Sequence, residues 1–252
     1  ITSSYTGADV SNYSVTDQSS TTADISAKAL TATASASSKT YDGSSAATTT
    51  LSLSGFIGSE TVTSTNSSTF NNKNVGTGKT VTVNSITLAD GSNGGLAANY
   101  SISAGQTTTA DITAKSLTVS GITASNKVYD STTNATTVLS FLGLIGSETI
   151  NNTNSSTFDN KNIGTGKSVT VNSITLVDGS NGGLASNYSI NSGQTTTANV
   201  SARPLTVSNI SASNKSYDGT TAVTLDTSNV SYNGLVSGDD FTGSFSGVFA
   251  ND

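Results

Sequence analysis

The 252-residue sequence contains no histidine, cysteine, methionine or tryptophan, and it has a single proline. Each absence removes chemistry. Without imidazole there is no histidine general base, no histidine-containing triad and no histidine-bound metal. Without thiols there is no cysteine nucleophile, zinc–thiolate site or disulfide. The fold must therefore be held by β ladders and modest cores. Charge is scarce as well, at 10% of residues, with a net charge of −6. Average domains carry roughly 25% charged residues and about 45–50% apolar ones; here the apolar share is 33%. The ten basic residues are scattered singly, which excludes the clustered Lys and Arg of a nucleic-acid interface. No run approaches the 18 or so apolar residues of a membrane span, and no basic-then-apolar leader opens the chain.

What fills the gap is Ser, Thr, Asn and Gly, arranged in repeats. Tyr41-Asp42-Gly43 returns as Tyr129-Asp130-Ser131 and as Tyr217-Asp218-Gly219, each step being 88 residues. Asn12-Tyr13-Ser14 returns at Asn99-Tyr100-Ser101 and Asn187-Tyr188-Ser189. Ala27-Lys28-Ala29-Leu30 returns at Ala114-Lys115-Ser116-Leu117 and, with Arg203-Pro204, at 202–205. These marks divide the chain into 1–27, the end of a preceding repeat; 28–114 and 115–202, two full repeats; and 203–252, the start of a further one. A longer array is the expectation. The third repeat diverges: Gly238-Asp239-Asp240 reads as Gly146-Ser147-Glu148 displaced by four, and Tyr232-Asn233-Gly234 as an inserted turn.

Within a repeat the hydrophobic period is two. Val81 and Val83, then Ile86 and Leu88, alternate with polar residues, and the phase slips once near Asn84-Ser85. Such a slip predicts a β-bulge in a half-buried strand. Asp90-Gly91-Ser92-Asn93-Gly94-Gly95, repeated at 178–183, predicts a turn. Gly76-Thr77-Gly78 and Gly164-Thr165-Gly166 read as hairpin turns. Gly95 to Asn99 has room for one helical turn at most. The expected fold is all-β: tandem β-sandwich-like modules of about 88 residues forming an elongated rod.

Tyr-Asp-Gly after a Leu-Thr-Val strand, with Lys73-Asn74-Val75-Gly76-Thr77-Gly78-Lys79 and Leu96-Ala97-Ala98-Asn99-Tyr100, resembles the YDG repeat and its neighbours, the MBG domains. The resemblance covers nearly the whole chain. It implies a stalk or filament segment of a large bacterial secreted or surface adhesin, such as filamentous-haemagglutinin-like exoproteins and biofilm matrix proteins. It implies an extracellular location and supplies no catalytic residue.

Few residues invite a chemical role. Tyr41-Asp42, Tyr129-Asp130 and Tyr217-Asp218, with Gly43 and Gly219, form a structural motif: Asp bonds turn amides and Tyr packs on the core. A ligand or calcium contact is the competing reading. If Gly43 and Gly219 take a positive φ, Ser131 is strained there by about 1 kcal/mol or more. Asp90 and Asp178 are calcium candidates, but each loop supplies one carboxylate where calcium wants six to eight oxygens. Gly76 to Thr80 mimics the end of a phosphate loop, yet Lys73 stands where its first Gly belongs. Glu60 and Glu148 are the only glutamates, one per repeat, which argues against a dedicated carboxylate pair. The expectation is a structural repeat, not an enzyme, with no cofactor. Its partners would be neighbouring repeats, further copies in fibres, and surface glycans. The alternative is a multivalent module binding glycan or calcium through avidity.

Overall fold

The computed structural model describes residues 1–250; the last two residues of the 203–252 segment lie outside the described residues. The described residues are almost entirely β, apart from three short 3-10 turns. It divides into two compact units, residues 1–39 with 44–112, and residues 40–43 with 113–252.

In the first unit, Thr31–Ala36 pairs antiparallel with Thr49–Ser54. Lys28–Ala29 runs parallel to Tyr100–Ser101. A five-stranded sheet follows in the order Lys39–Thr40, Thr107–Thr113, Gly76–Asp90, Val62–Phe70 and Ala46–Ala47. The long strand Gly76–Asp90 is its spine. Val81 and Val83 are fully buried on one face. Asn84 has no partner across the ladder, since Ser67 faces Ser85 and Ser68 faces Val83. That is the bulge the phase slip predicts, and it returns Ile86 and Leu88 to the inward phase. Leu88 packs with Leu30, Val62 and Tyr100.

The neighbouring strand, Val62–Phe70, is rich in Ser, Thr and Asn, yet it is central in the sheet. Its inward polar groups bond one another: Thr49 Oγ1 donates to Asn66 Oδ1 at 2.5 Å and meets Ser68 Oγ at 2.7 Å. A buried hydroxyl with a partner costs little, whereas an orphaned one costs about 1–3 kcal/mol.

The second unit repeats this plan. Thr118–Ala124 pairs with Thr137–Leu142. The five-stranded sheet runs Lys127–Val128, Thr195–Ser201, Gly164–Asp178, Ile150–Phe158 and Asn134–Ala135. Phe158, Val169, Ala198 and Val200 form its core, and Thr137, Asn154 and Ser156 reproduce the polar network. Short strands of the third repeat follow: Thr206–Ser208 with Ser231–Asn233, and Ser211–Ala212 with Leu225–Asp226.

Two readings of the sequence are corrected. Gly76-Thr77-Gly78 is no hairpin turn but a second bulge inside the long strand: Gly76 faces Ile112 and Lys79 faces Ala110. Gly78 takes φ 58° and its amide donates to Asp111 Oδ1 at 2.7 Å. Tyr232-Asn233-Gly234 is no inserted turn either. Tyr232 and Asn233 pair with Val207 and Thr206, and Gly234 (φ 101°) ends the strand as Gly55 and Gly143 do (φ 102° and 104°). The insertion lies earlier, between Asp226 and Ser231, where the Val230 amide closes a turn on the Thr227 carbonyl. It is three residues long. In consequence Asp239, not Asp240, is the counterpart of Glu148: the Asp239 amide donates to Val236 O as those of Glu148 and Glu60 donate to Ile145 O and Ile57 O.

Candidate functional site: the tyrosine–carboxylate clasp

The Tyr-Asp-Gly motif begins with a lysine that sequence reading passed over. Lys127, three residues before Asp130, extends its ammonium into the turn that follows. It donates to Asp130 Oδ1 at 2.7 Å, to the Thr132 carbonyl at 2.8 Å and to the Asn134 carbonyl at 3.0 Å. The Phe158 ring lies 5.6 Å below it. Asp130 also accepts from the Thr132 amide and hydroxyl. Its hydrogen bond with Lys127, and then the Thr132 amide, hold its carboxyl down at about 2. Lys215, Asp218, Thr220 and Phe249 reproduce the set, and Asp218 is likewise lowered to about 2, first by Lys215. Lys39 donates to the Ser44 and Ala46 carbonyls and lies 5.7 Å from the Phe70 ring. The signal in sequence was Lys-x-Tyr-Asp, repeated three times.

This turn aims the tyrosine away from its own sheet. Tyr41 is 1% exposed within the second unit. Its hydroxyl donates to Glu148 Oε1 at 2.7 Å, while Tyr188 donates to Glu148 Oε2 at 2.7 Å. The two tyrosine rings meet edge to face, with centroids 5.5 Å apart. One buried carboxylate thus receives two phenols, one from the motif of the preceding repeat. Burial first, then the bond to Glu148, pushes the Tyr188 hydroxyl up to about 12. Gly43, at φ 79°, sits so close that a Cβ would stand 2.7 Å from Ile145 Cγ2.

The arrangement recurs once more in that unit with altered residues. Asp239 takes the place of the glutamate: its carboxyl is held below its ordinary range, first by the Tyr129 hydroxyl and then by Lys161 and Ser131. Lys161 Nζ lies 3.4 Å from Asp239 Oδ1 and 6.0 Å from the Tyr129 ring centre. Ser131 takes φ 67°, matching Gly43 and Gly219 at 79° and 74°. Its hydroxyl donates to Asp239 at 3.2 Å and accepts from Lys161 at 3.1 Å. In the first unit Glu60 Oε2 accepts from Tyr100 at 2.5 Å, and Phe56 packs edge-on to Tyr100 at 5.7 Å. The bond to Glu60 raises the Tyr100 hydroxyl.

Asp90 and Asp178 are spent locally. Each carboxylate accepts the amide that opens the next 3-10 turn, Ala97 or Ala185, at 2.7 Å. Among the described residues no group of three or more acidic side chains is placed to hold a metal ion, and no helix is long and apolar enough to cross a membrane.

Repeated bulged sheets, each built around a Lys-x-Tyr-Asp turn that feeds the following repeat, define an all-β protein of tandem modules. A sequence model of the YDG domain matches residues 26–110, 113–198 and 201–252. The chain belongs to the YDG domain family. Searches of curated proteins and of solved structures found no match.

Proposed function

We propose that these repeats are a spacer: a structural, non-catalytic stretch of an extracellular bacterial adhesin or fibre that gives reach. The observation that carries the reading is the clasp. The motif that defines the family spends its tyrosine on the acid of the next repeat, Tyr41 on Glu148 and Tyr129 on Asp239, and its aspartate on its own turn. Side chains so used are committed to linking modules. Units that interact with their neighbours suit a quasi-one-dimensional array. A surface of Ser, Thr and Asn with little charge suits exposure outside a cell.

Small-angle scattering on chains of two, three and four repeats tests this. A maximum dimension that grows by one constant step per added repeat supports a spacer. Growth with the cube root of mass, as in a globule, overturns it.

A further inference from the structure

Each full repeat is tied together by its own two ends. The second begins with Lys115–Ser116, which lies parallel to Tyr188–Ser189, and the Leu117 amide donates to the Ser189 carbonyl at 2.8 Å. Further on, Lys127–Val128 lies parallel to Val200 and Ser201 of the last strand, and the Tyr129 amide donates to the Ser201 carbonyl at 2.9 Å. Between these contacts both segments advance by the same twelve residues, 115 to 127 and 188 to 200, so entry and exit keep one register. A side chain secures the second contact: Asn126 Oδ1 accepts the Asn199 amide at 2.7 Å. Leu117, Tyr188 and Val200 are buried at the contacts, which keeps water from replacing the bonds one by one. The first repeat makes the same first contact, Lys28–Ala29 against Tyr100–Ser101, and its Asp111 amide donates to Ser38 Oγ at 2.9 Å.

We propose that this parallel pairing is a shear clamp, which gives each repeat the further function of withstanding tension along the array. Tension reaches the second repeat through the peptide before Lys115 and leaves it through the peptide after Ser201. In a parallel pair those two points lie at opposite ends of the ladder, so the pull drives one strand lengthwise past the other. All the bonds of a contact then share the force and must break together. Were the two strands antiparallel, entry and exit would lie at the same end, and the bonds would open in turn, each at low force. The clamp also sits where the force arrives. The hairpin of Thr118–Ala124 with Thr137–Leu142 and the long strand Gly164–Asp178 lie behind it in the chain and are spared until it fails. Parallel pairing is slightly less stable per residue than antiparallel pairing; what it adds here is direction. Resistance to forced unfolding is set by the unfolding rate and not by equilibrium stability, so a repeat with a modest core is able to hold.

The inference deepens the spacer reading and rests on it, yet the two fail separately. The test is single-molecule force spectroscopy. The chain has no cysteine, so a pair of introduced cysteines fixes the two pulling points on the otherwise intact 252-residue chain. Ala114→Cys with Ala202→Cys pulls the second repeat along its own entry and exit. Val128→Cys with Ala202→Cys pulls the two partners of the second contact apart from the same end, and Val128 is exposed enough to carry a handle. At one pulling speed the first pair should break at a several-fold higher force than the second. If Ala114→Cys loses the native circular-dichroism spectrum, Thr113→Cys, at an exposed position, replaces it. Equal forces in the two directions overturn the clamp and leave the scattering result for repeat number untouched. Scattering that scales as a globule, with the two forces still unequal, removes the spacer and keeps the clamp.

Discussion

Ser131 is where one residue departs from a backbone the motif imposes. A side chain at φ 67° costs about 1 kcal/mol or more against glycine, and here the hydroxyl recovers part of it through Asp239 and Lys161. Ser131→Gly therefore loses two modest bonds and a strain together, and its stability should stay near that of wild type. Ser131→Ala keeps the strain and loses the bonds, so it should fall below the glycine variant by about 1 kcal/mol. Urea unfolding of the pair reads the difference; equal midpoints would remove the strain from the account. Tyr188 makes the second prediction at this scale. Its hydroxyl is held up from 10.0 to about 12, so the folded state keeps a proton that the unfolded state gives up. That stability is fully present below pH 10.0 and is lost as pH rises through about 12. Tyr188→Phe cannot ionise there, so its alkaline unfolding should lose this component, followed by tyrosinate absorbance. The positive φ at Ser131 was legible because its reference copies are glycines at the same repeat position. The clasp was not: Tyr41 and Glu148 lie 107 residues apart, and no local pattern joins a tyrosine to an acid in the next repeat.

At the scale of elements, strands and their single phase slip could be read directly, because burial of one face enforces a period of two and a bulge is the only way to break it in step. The Gly-x-Gly runs misled, since the same residues serve a hairpin turn and a bulge. What decides is the partner strand: Asp111, and Asn199 in the second unit, accept the amides of Gly78 and Gly166 at 2.7 and 2.8 Å. The Gly-rich loop after the long strand was legible as a turn, but the reason for its glycines was not. Asn181 and Gly182 take φ 56° and 84°. Gly179 and Gly183 serve another purpose, for a Cβ on either would lie 2.0 Å from the Thr149 carbonyl oxygen. Backbone on backbone cannot yield as a side-chain tip can. Gly183→Ala should therefore destabilise by about 3 kcal/mol or more, whereas Gly94→Ala, in the matching loop of the first unit and with open space around its Cβ, should cost about 1 kcal/mol through its φ of 84° alone. Thermal unfolding of the two variants checks the order. The reverse order would mean that the loop swings away from Thr149 at little cost.

At the scale of the whole chain, stability divides into what each repeat has by itself and what it gains from its neighbour. Val171 and Glu148 sample the two separately. Val171 is fully buried in the second unit's sheet, and Val171→Ala removes packing from within one repeat, about 2 kcal/mol. Glu148 is 8% exposed and accepts hydroxyls from Tyr188 of its own repeat and Tyr41 of the preceding one. Glu148→Ala leaves both without this acceptor, a loss of about 2–3 kcal/mol or more, and part of it falls on the coupling. The two variants should then differ in kind as well as amount. Val171→Ala should lower the unfolding midpoint while the transition keeps its steepness, because neighbouring repeats still unfold together. Glu148→Ala should broaden or split the transition, because the link that makes them cooperative is weakened. Calorimetry, comparing the measured enthalpy with the van't Hoff value for each variant, distinguishes the outcomes. If Glu148→Ala moves the midpoint with the enthalpy ratio unchanged, Glu148 is an ordinary buried residue of its own repeat, and the clasp does not couple one repeat to the next.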